Sequence, residues 1–487
     1  DLNAKDKRGK TILHLLCKHG HMNIIKNIVL LHRANVNLLD QSNLSIINYA
    51  CKSENLELVK YLIGLGEIDI IPKEEYSKTI LHSACLSGDI NIVQYVVSLQ
   101  KIDINAQDTN YNTPLHIACD NGHFEIVQYL LSLPGINLNI QNEKNDTPLH
   151  IAIFYDYFDI ANLLLGHKKI DVSIRGKNKK TLLHYACKSG NLELVKILLQ
   201  RTELDIHSID DDNKTLLHYA CNSGNIILVK YLIEVNKLDI NAKDKKMNSI
   251  LYYACDSKNY ELIKYLISLD IDINSKNEEG KTILHYLCSQ GNLELVKYIS
   301  NFSEANFDAR DNKSRTILHE ACCSDKFELV KFLVETGRVD VQAKDNQGKT
   351  LLHESNEFFK LLQYLISLNK IDINAKDDEG KTIFLIEAYY NYVNQVKFLS
   401  TIPEVDITVQ DLEGKNSLHY AIENDDYSLV GFLINLNKIP LNQTDNSKNT
   451  LLHLACKWGN VKMLKYIVEL NAIDLNSKNI DNDTLLH

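Results

Sequence analysis

The chain has 487 residues, 45% of them hydrophobic, and its 53 basic and 63 acidic residues are dispersed for a net charge of −10. A balance of that sign and spread argues against the basic stripe of a nucleic-acid footprint, and the hydrophobic fraction excludes a disordered chain. No apolar run approaches the roughly 20 residues needed to span a bilayer.

The chain opens on Asp1-Leu2-Asn3-Ala4-Lys5-Asp6, an extended arm running into a turn, and from Thr11 onward it repeats. Copies begin at a residue able to cap a helix: Thr11, Ser45, Thr79, Thr113, Thr147, Thr181, Thr215 and Ser249. They continue at Thr282, Thr316, Thr350, Thr382, Asn416, Thr450 and Thr484. The spacing is 34, except for 33 from Ser249 to Thr282 and 32 from Thr350 to Thr382. Such a period overrides the two to four domains that length alone suggests, because repeats stack into an array rather than enlarge one core.

The copy TLLHYACKSGNLELVKILLQ (Thr181–Gln200) predicts two short helices. Thr181 is placed to cap the first, Leu183, Ala186 and Cys187 share one face of it, and His184 sits where a side chain reaches back to the cap. Gly190 ends it by adopting φ > 0 without steric cost. Leu192, Leu194, Val195, Leu198 and Leu199 form the apolar stripe of the second helix. At about two turns, neither helix would be stable alone, so each must bury its stripe against a neighbour. The segments between copies, such as Lys101–Asn112, alternate Ile102 and Ile104 with polar residues and then turn.

Three copies depart from the pattern. The second has Asn48 and Glu54 where His and Gly are expected, and its arm runs into an altered turn over 71–76. The eleventh, from Thr350, is two residues short across the end of its first helix, and the twelfth carries Leu385 and Asn391 in place of His and Gly. Local irregularity is expected over 350–395 without a break, because Leu361–Ser367 keeps its stripe.

The unit TPLHIACDNGHFEIVQYLL (Thr113–Leu131) resembles the ankyrin repeat, through its T-P-L-H start, its Gly122-His123 turn and the preceding I-N-A-x-D finger (Ile104–Asp108). The resemblance covers essentially the whole chain. It implies an all-α ankyrin-repeat solenoid, an α-α superhelix of stacked helix-turn-helix units with β-hairpin fingers. One array over 1–487 of about fourteen repeats is expected, with a finger alone at 1–10 and a helix start alone at 484–487. The cut ends lead us to expect a fragment of a longer protein. The resemblance also implies a non-catalytic scaffold or adaptor that binds a partner protein in the groove between fingers and first helices. An alternative is a targeting arm of a larger enzyme or membrane-associated protein, and a third is an elastic spacer.

His-x-x-Cys recurs eight times, from His14 and Cys17 to His453 and Cys456, and is by residue type half of a zinc site. Equivalent positions in stacked helices lie about 8–10 Å apart, so the halves would not converge. The cysteines stand where the family has a small Ala, and a free thiol packs as a small hydrophobe. Cys323, beside Cys322, is out of register and reads as a surface thiol. No metal, cofactor or catalytic site is expected: G-x-S-x-G, H-E-x-x-H and a phosphate-cradling Gly loop are missing from the sequence. Carboxylate pairs such as Asp211-Asp212 and the basic finger Arg175–Lys180 read as solvated turns. Cysteines without disulfide spacing imply a reducing compartment, the cytoplasm or secondarily the nucleus. The expected partner is a protein, with no nucleic acid and no membrane insertion, bound by a monomeric array.

In the family, binding variability concentrates at finger tips and just before the turn glycine. Aromatics depart from the pattern there: Tyr76 and Tyr111 on finger tips; Phe154, Tyr155 and Tyr157; Tyr389 and Tyr390; and Trp458. Such residues are enriched at interface hot spots, and these are the candidate protein-binding residues. The competing reading is that the rings fill turns that lack glycine. The periodic Tyr185, Tyr219, Tyr253, Tyr286 and Tyr420 read as packing between repeats.

Overall fold

The computed structural model describes residues 1–30, 34–71, 77–324, 326–459, 461–470 and 472–485. Among them, 28 α-helices follow one another in pairs, and the only β pairing is two isolated bridges, Lys243 to Ser249 and Arg310 to Thr316. The chain divides into two compact units, Asp1–Ile271 and Asp272–His487.

In the Thr181 copy the first helix spans Leu182–Ser189 and stops at Gly190, whose φ of 76° only glycine adopts freely. The second spans Leu192–Leu198, its first turn capped by the Asn191 side chain on the Leu194 N–H. Leu183, Ala186, Cys187, Leu194, Val195 and Leu198 are fully buried, each large side chain contributing about 1.5–3 kcal/mol of apolar burial. Inside each unit, first helices pack on the first helices of the next copy, as Leu182–Ser189 does on Leu216–Ser223.

The histidines do more than cap. His184 Nδ1 accepts from the Thr181 N–H at 3.1 Å and lies 2.8 Å from the Thr181 hydroxyl. Its Nε2 reaches the Lys214 carbonyl, 30 residues on, at 3.2 Å. These partners assign the neutral tautomer with the proton on Nε2. His14, His82, His116, His285 and His453 repeat the bond to the carbonyl 30 residues ahead, at 2.9–3.2 Å. These copies tie their own cap to the turn of the successor, whereas Nε2 of His150, His218, His319 and His419 is buried without a hydrogen-bond partner.

The fingers close by side-chain turns, not by the β-ladders a hairpin finger suggests. Asp108 Oδ1 accepts the N–H groups of Asn110 and Asn112, both at 2.9 Å. Adjacent fingers share a backbone bond, such as the Glu143 N–H to the Asn110 carbonyl. The arms carry a second tie: Asn105 donates to the Gly135 carbonyl and accepts from the Asn137 N–H, both at 2.9 Å. Asn37, Asn139, Asn274 and Asn374 do the same.

Of the periodic tyrosines, Tyr185, Tyr219 and Tyr253 pack between repeats edge-on against the preceding histidine, His184 and Tyr219 standing 5.4 Å apart at 90°, while Tyr420 meets Tyr389. They also hold the finger. The Tyr219 hydroxyl donates to Asp210 Oδ2 at 2.5 Å, the second oxygen of the turn-closing aspartate, and Tyr49 and Tyr253 do so to Asp40 and Asp244.

In the second copy Asn48 stands in for His: its Oδ1 accepts from the Ser45 N–H, and its Nδ2 reaches the Lys78 carbonyl and Ser83 hydroxyl. The irregularity expected over 350–395 is a first helix of four residues, Leu351–Glu354, beside a full second helix, Phe359–Ser367. His353 still reaches its carbonyl, at Lys381, only 28 residues on.

Candidate functional site

Pro148–Phe154 begins with Pro at a position where its missing N–H costs nothing, and ends at Tyr155. Asp156 makes the turn with φ 59°, in place of glycine. Phe154 and Tyr155 thus leave the helix end together, 43% and 48% exposed. Their rings meet edge to face at 5.0 Å, Phe154 meets Tyr185 at 6.4 Å, and Tyr155 stacks on Tyr157 at 6.0 Å.

The pair walls a cavity of about 660 Å³ between the fingers and the first helices of the copies at Thr113, Thr147 and Thr181. Ile117 and Ile151 extend the apolar wall. Lys144, Lys177, Lys180 and Lys188 face it, Lys188 with its ammonium 5.0 Å from the Phe154 ring centre. Burial first, then the neighbouring charge of Lys188, holds the Lys180 ammonium below the usual lysine range. The Asp120 carboxylate holds the Tyr155 hydroxyl above its ordinary value.

The floor is rebuilt by an exchange between fingers. Gly176 occupies the finger position that Asp210 fills one copy later, and the Tyr185 hydroxyl bonds Asp146 of the preceding finger instead. Asp146 also accepts the Lys177 N–H at 3.2 Å.

A second aromatic group occupies the same positions of the Thr382 copy. Tyr389 and Tyr390 meet at 4.8 Å, Tyr389 and Tyr420 at 5.2 Å, and Tyr390 and Tyr392 at 6.0 Å, with Asn391 in the left-handed turn. Tyr389 and Tyr390 are 43% and 55% exposed. Here the lysines are paired: Lys381 with Glu379 at 2.6 Å, and Lys415 with Glu423 at 2.9 Å and Glu413 at 3.2 Å.

Of the remaining candidates, Tyr76 lies outside the described residues. Tyr111 is exposed on its finger in a left-handed backbone, φ 57°; Asn110 and Asn112 line the cavity and it does not. Trp458 caps Leu451–Lys457 and is 56% exposed, joining neither aromatic group. Sequence reasoning missed Ile117, Ile151, Lys180 and Lys188. The signal was present in the register: the residue before the cap and the seventh after it are Lys415 and Glu423 in one copy, Lys180 and Lys188 in another.

The His-x-x-Cys residues are spent on structure. Burial pushes the Cys17 and Cys51 thiols up to about 12, and Cys85, Cys119 and Cys187 higher still. No group of three His, Cys, Asp or Glu side chains gathers among the described residues. The Cys323 thiol donates to Glu354 at 2.6 Å. No helix among the described residues is long and apolar enough to cross a membrane.

The family model described as Ankyrin repeats (3 copies) matches residues 1–71, 81–176, 170–244, 229–311, 251–345, 284–377 and 384–479, and Ankyrin repeats (many copies) matches 47–97. No curated protein matches the chain. Repeats of this kind are generally protein–protein interaction modules. On the capped helix pairs, the tied fingers and family matches along nearly all its length, the chain belongs to the ankyrin repeat family.

Proposed function

We propose that the chain is one monomeric array of about fourteen repeats that binds a partner protein through its finger and first-helix face, as a scaffold without chemistry of its own. The observation that carries this is the exposed Phe154–Tyr155 pair, set in the wall of a cavity. Aromatic anchors in a pocket dominate interface energetics, and a face fixed by repeated side-chain ties loses little entropy on binding. Free, mostly buried cysteines support a reducing compartment, the cytoplasm.

The test is affinity capture from cell extract followed by mass spectrometry. Phe154→Ala with Tyr155→Ala is expected to lose proteins that the unaltered chain retains, with Tyr390→Ala and Trp458→Ala compared in parallel. Recovery of the same proteins by all variants would remove the assignment of the site.

A further inference from the structure

The residue just before the cap is basic in many copies, and in five copies beyond Thr181 it finds an acid within the chain, although Lys349 belongs to none of the described ion pairs. Lys214 lies 3.9 Å from Asp212, Lys281 is 3.3 Å from Glu279 and Glu320, and Arg315 approaches Glu320 and Glu354. Lys381 pairs with Glu379, and Lys415 with Glu413 and Glu423. Lys180 differs. Its counterpart to Glu423 is Lys188, a second cation seven residues after the cap. Among the described ion pairs, none includes Lys144, Lys177, Lys180 or Lys188. Instead Lys188 and Lys180 lie over the rings of Phe154 and Tyr219, at 5.0 and 5.3 Å.

Like charges held together in a partly dehydrated cavity are unfavourable until an anion joins them. Of the three acids lining the cavity, Asp146 is engaged by Tyr185 and Lys177 and Asp120 by Tyr155, while Glu143 is exposed on its finger and belongs to none of the described ion pairs. Beside the lysines stands the apolar wall of Phe154, Tyr155, Ile117 and Ile151. From this charge complementarity we infer that the cavity takes an acidic segment of a partner protein, its carboxylate between Lys180 and Lys188 and an adjacent bulky apolar side chain against Phe154 and Tyr155. The partner supplies in trans the carboxylate that Glu423 supplies to Lys415 in cis. The Tyr389–Tyr390 group, whose lysines are paired, does not share this preference. A nucleic acid fits less well: its phosphates have no use for an apolar wall, and the chain's net charge of −10 opposes it.

The inference rests on the proposed binding function and names the partner's chemistry. The experiment is selection of a displayed library of random twelve-residue peptides on the full chain, with Lys188→Glu as comparator. That variant rebuilds the Lys415–Glu423 arrangement, so it is expected to melt at or above the temperature of the unaltered chain. The expected result is enrichment of peptides with Asp or Glu beside a bulky apolar residue, binding Lys188→Glu at least about tenfold more weakly. Their Asn and Gln analogues should lose affinity similarly. Failure to enrich acidic peptides, equal binding to Lys188→Glu, or a twelve-nucleotide oligo-dT that binds as tightly as the selected peptides overturns the inference. If extract capture depends on Phe154 and Tyr155 but not on Lys188, the binding function stands and this assignment falls. If capture depends on neither, the site assignment goes with it.

Discussion

The carboxylate of Asp146 stands where a side chain on Gly176 would have to go: a Cβ there would lie 2.5 Å from Asp146 Oδ1 and 2.6 Å from the Tyr185 hydroxyl. The carboxylate that the Tyr185 hydroxyl bonds thus comes from the residue before the preceding cap, and not from the finger position that Asp210 fills for Tyr219. Gly176→Ala is expected to cost about 1–3 kcal/mol by overpacking, read as a lower urea midpoint. Gly176→Asp combined with Asp146→Asn should recover most of that loss, because it restores the Asp210–Tyr219 arrangement. A double variant no more stable than Gly176→Ala would refute the exchange.

The capping histidines make the fold sensitive to acid. Burial holds His116, His150, His184, His218 and His419 at about 4, against an ordinary value of 6.5. A folded value below the unfolded one means stability fully present above pH 6.5 and lost as the pH falls toward 4. Each site contributes up to about 3 kcal/mol to that loss. The urea midpoint should drop between pH 7 and pH 5. His116→Asn, which copies Asn48, should reduce the drop while keeping the cap.

Glu387 acts with the opposite sign. It is fully buried in the position that most other copies give to Ala, neither carboxylate oxygen has a partner, and burial raises it to about 9. A folded value above the unfolded 4.5 means a penalty that grows as pH rises from about 4.5 to about 9, reaching about 3 kcal/mol at neutral pH. Glu387→Ala is expected to raise the melting temperature at pH 8 and to change it far less at pH 5. An equal effect at both pH values would contradict a buried, protonated carboxyl.

Leu385 breaks the histidine series and leaves the Thr382 hydroxyl buried without a partner. Leu385→His should rebuild the capping box and offer an Nε2–H toward the next turn, a gain of about 1 kcal/mol. Hydrogen exchange at the start of Ile383–Tyr389 would slow if so.

The helix pairs, caps and glycine turns were legible because their causes lie within one copy: Thr181, His184 and Gly190 are ten residues apart at most. The role of Asn105 was not, since its partners Gly135 and Asn137 lie in the next copy and the backbone carries no sequence signature. Phe154 and Tyr155 could be picked out as departures. The lysines facing them could not, because Lys188 looks ordinary until it is set beside Lys180 and compared with Glu423. Tyr219 was assigned to packing correctly, but its hydroxyl bond to Asp210 depends on where the finger folds back.

The bond that His14, His82, His116, His184, His285 and His453 make to the turn ahead has an evolutionary corollary. Its donor and acceptor lie 30 residues apart, and the arm ties of Asn105 span 30 and 32. Excising or duplicating a whole 34-residue unit therefore sets these donors at the same spacing from the equivalent carbonyls of the new neighbour. Such a gene can lengthen or shorten by recombination between its own copies with little structural cost, whereas a single-codon insertion has no comparable refuge. The Thr350 copy shows where a smaller deletion survives: two residues are gone from the end of its first helix, and His353 still finds its carbonyl at Lys381.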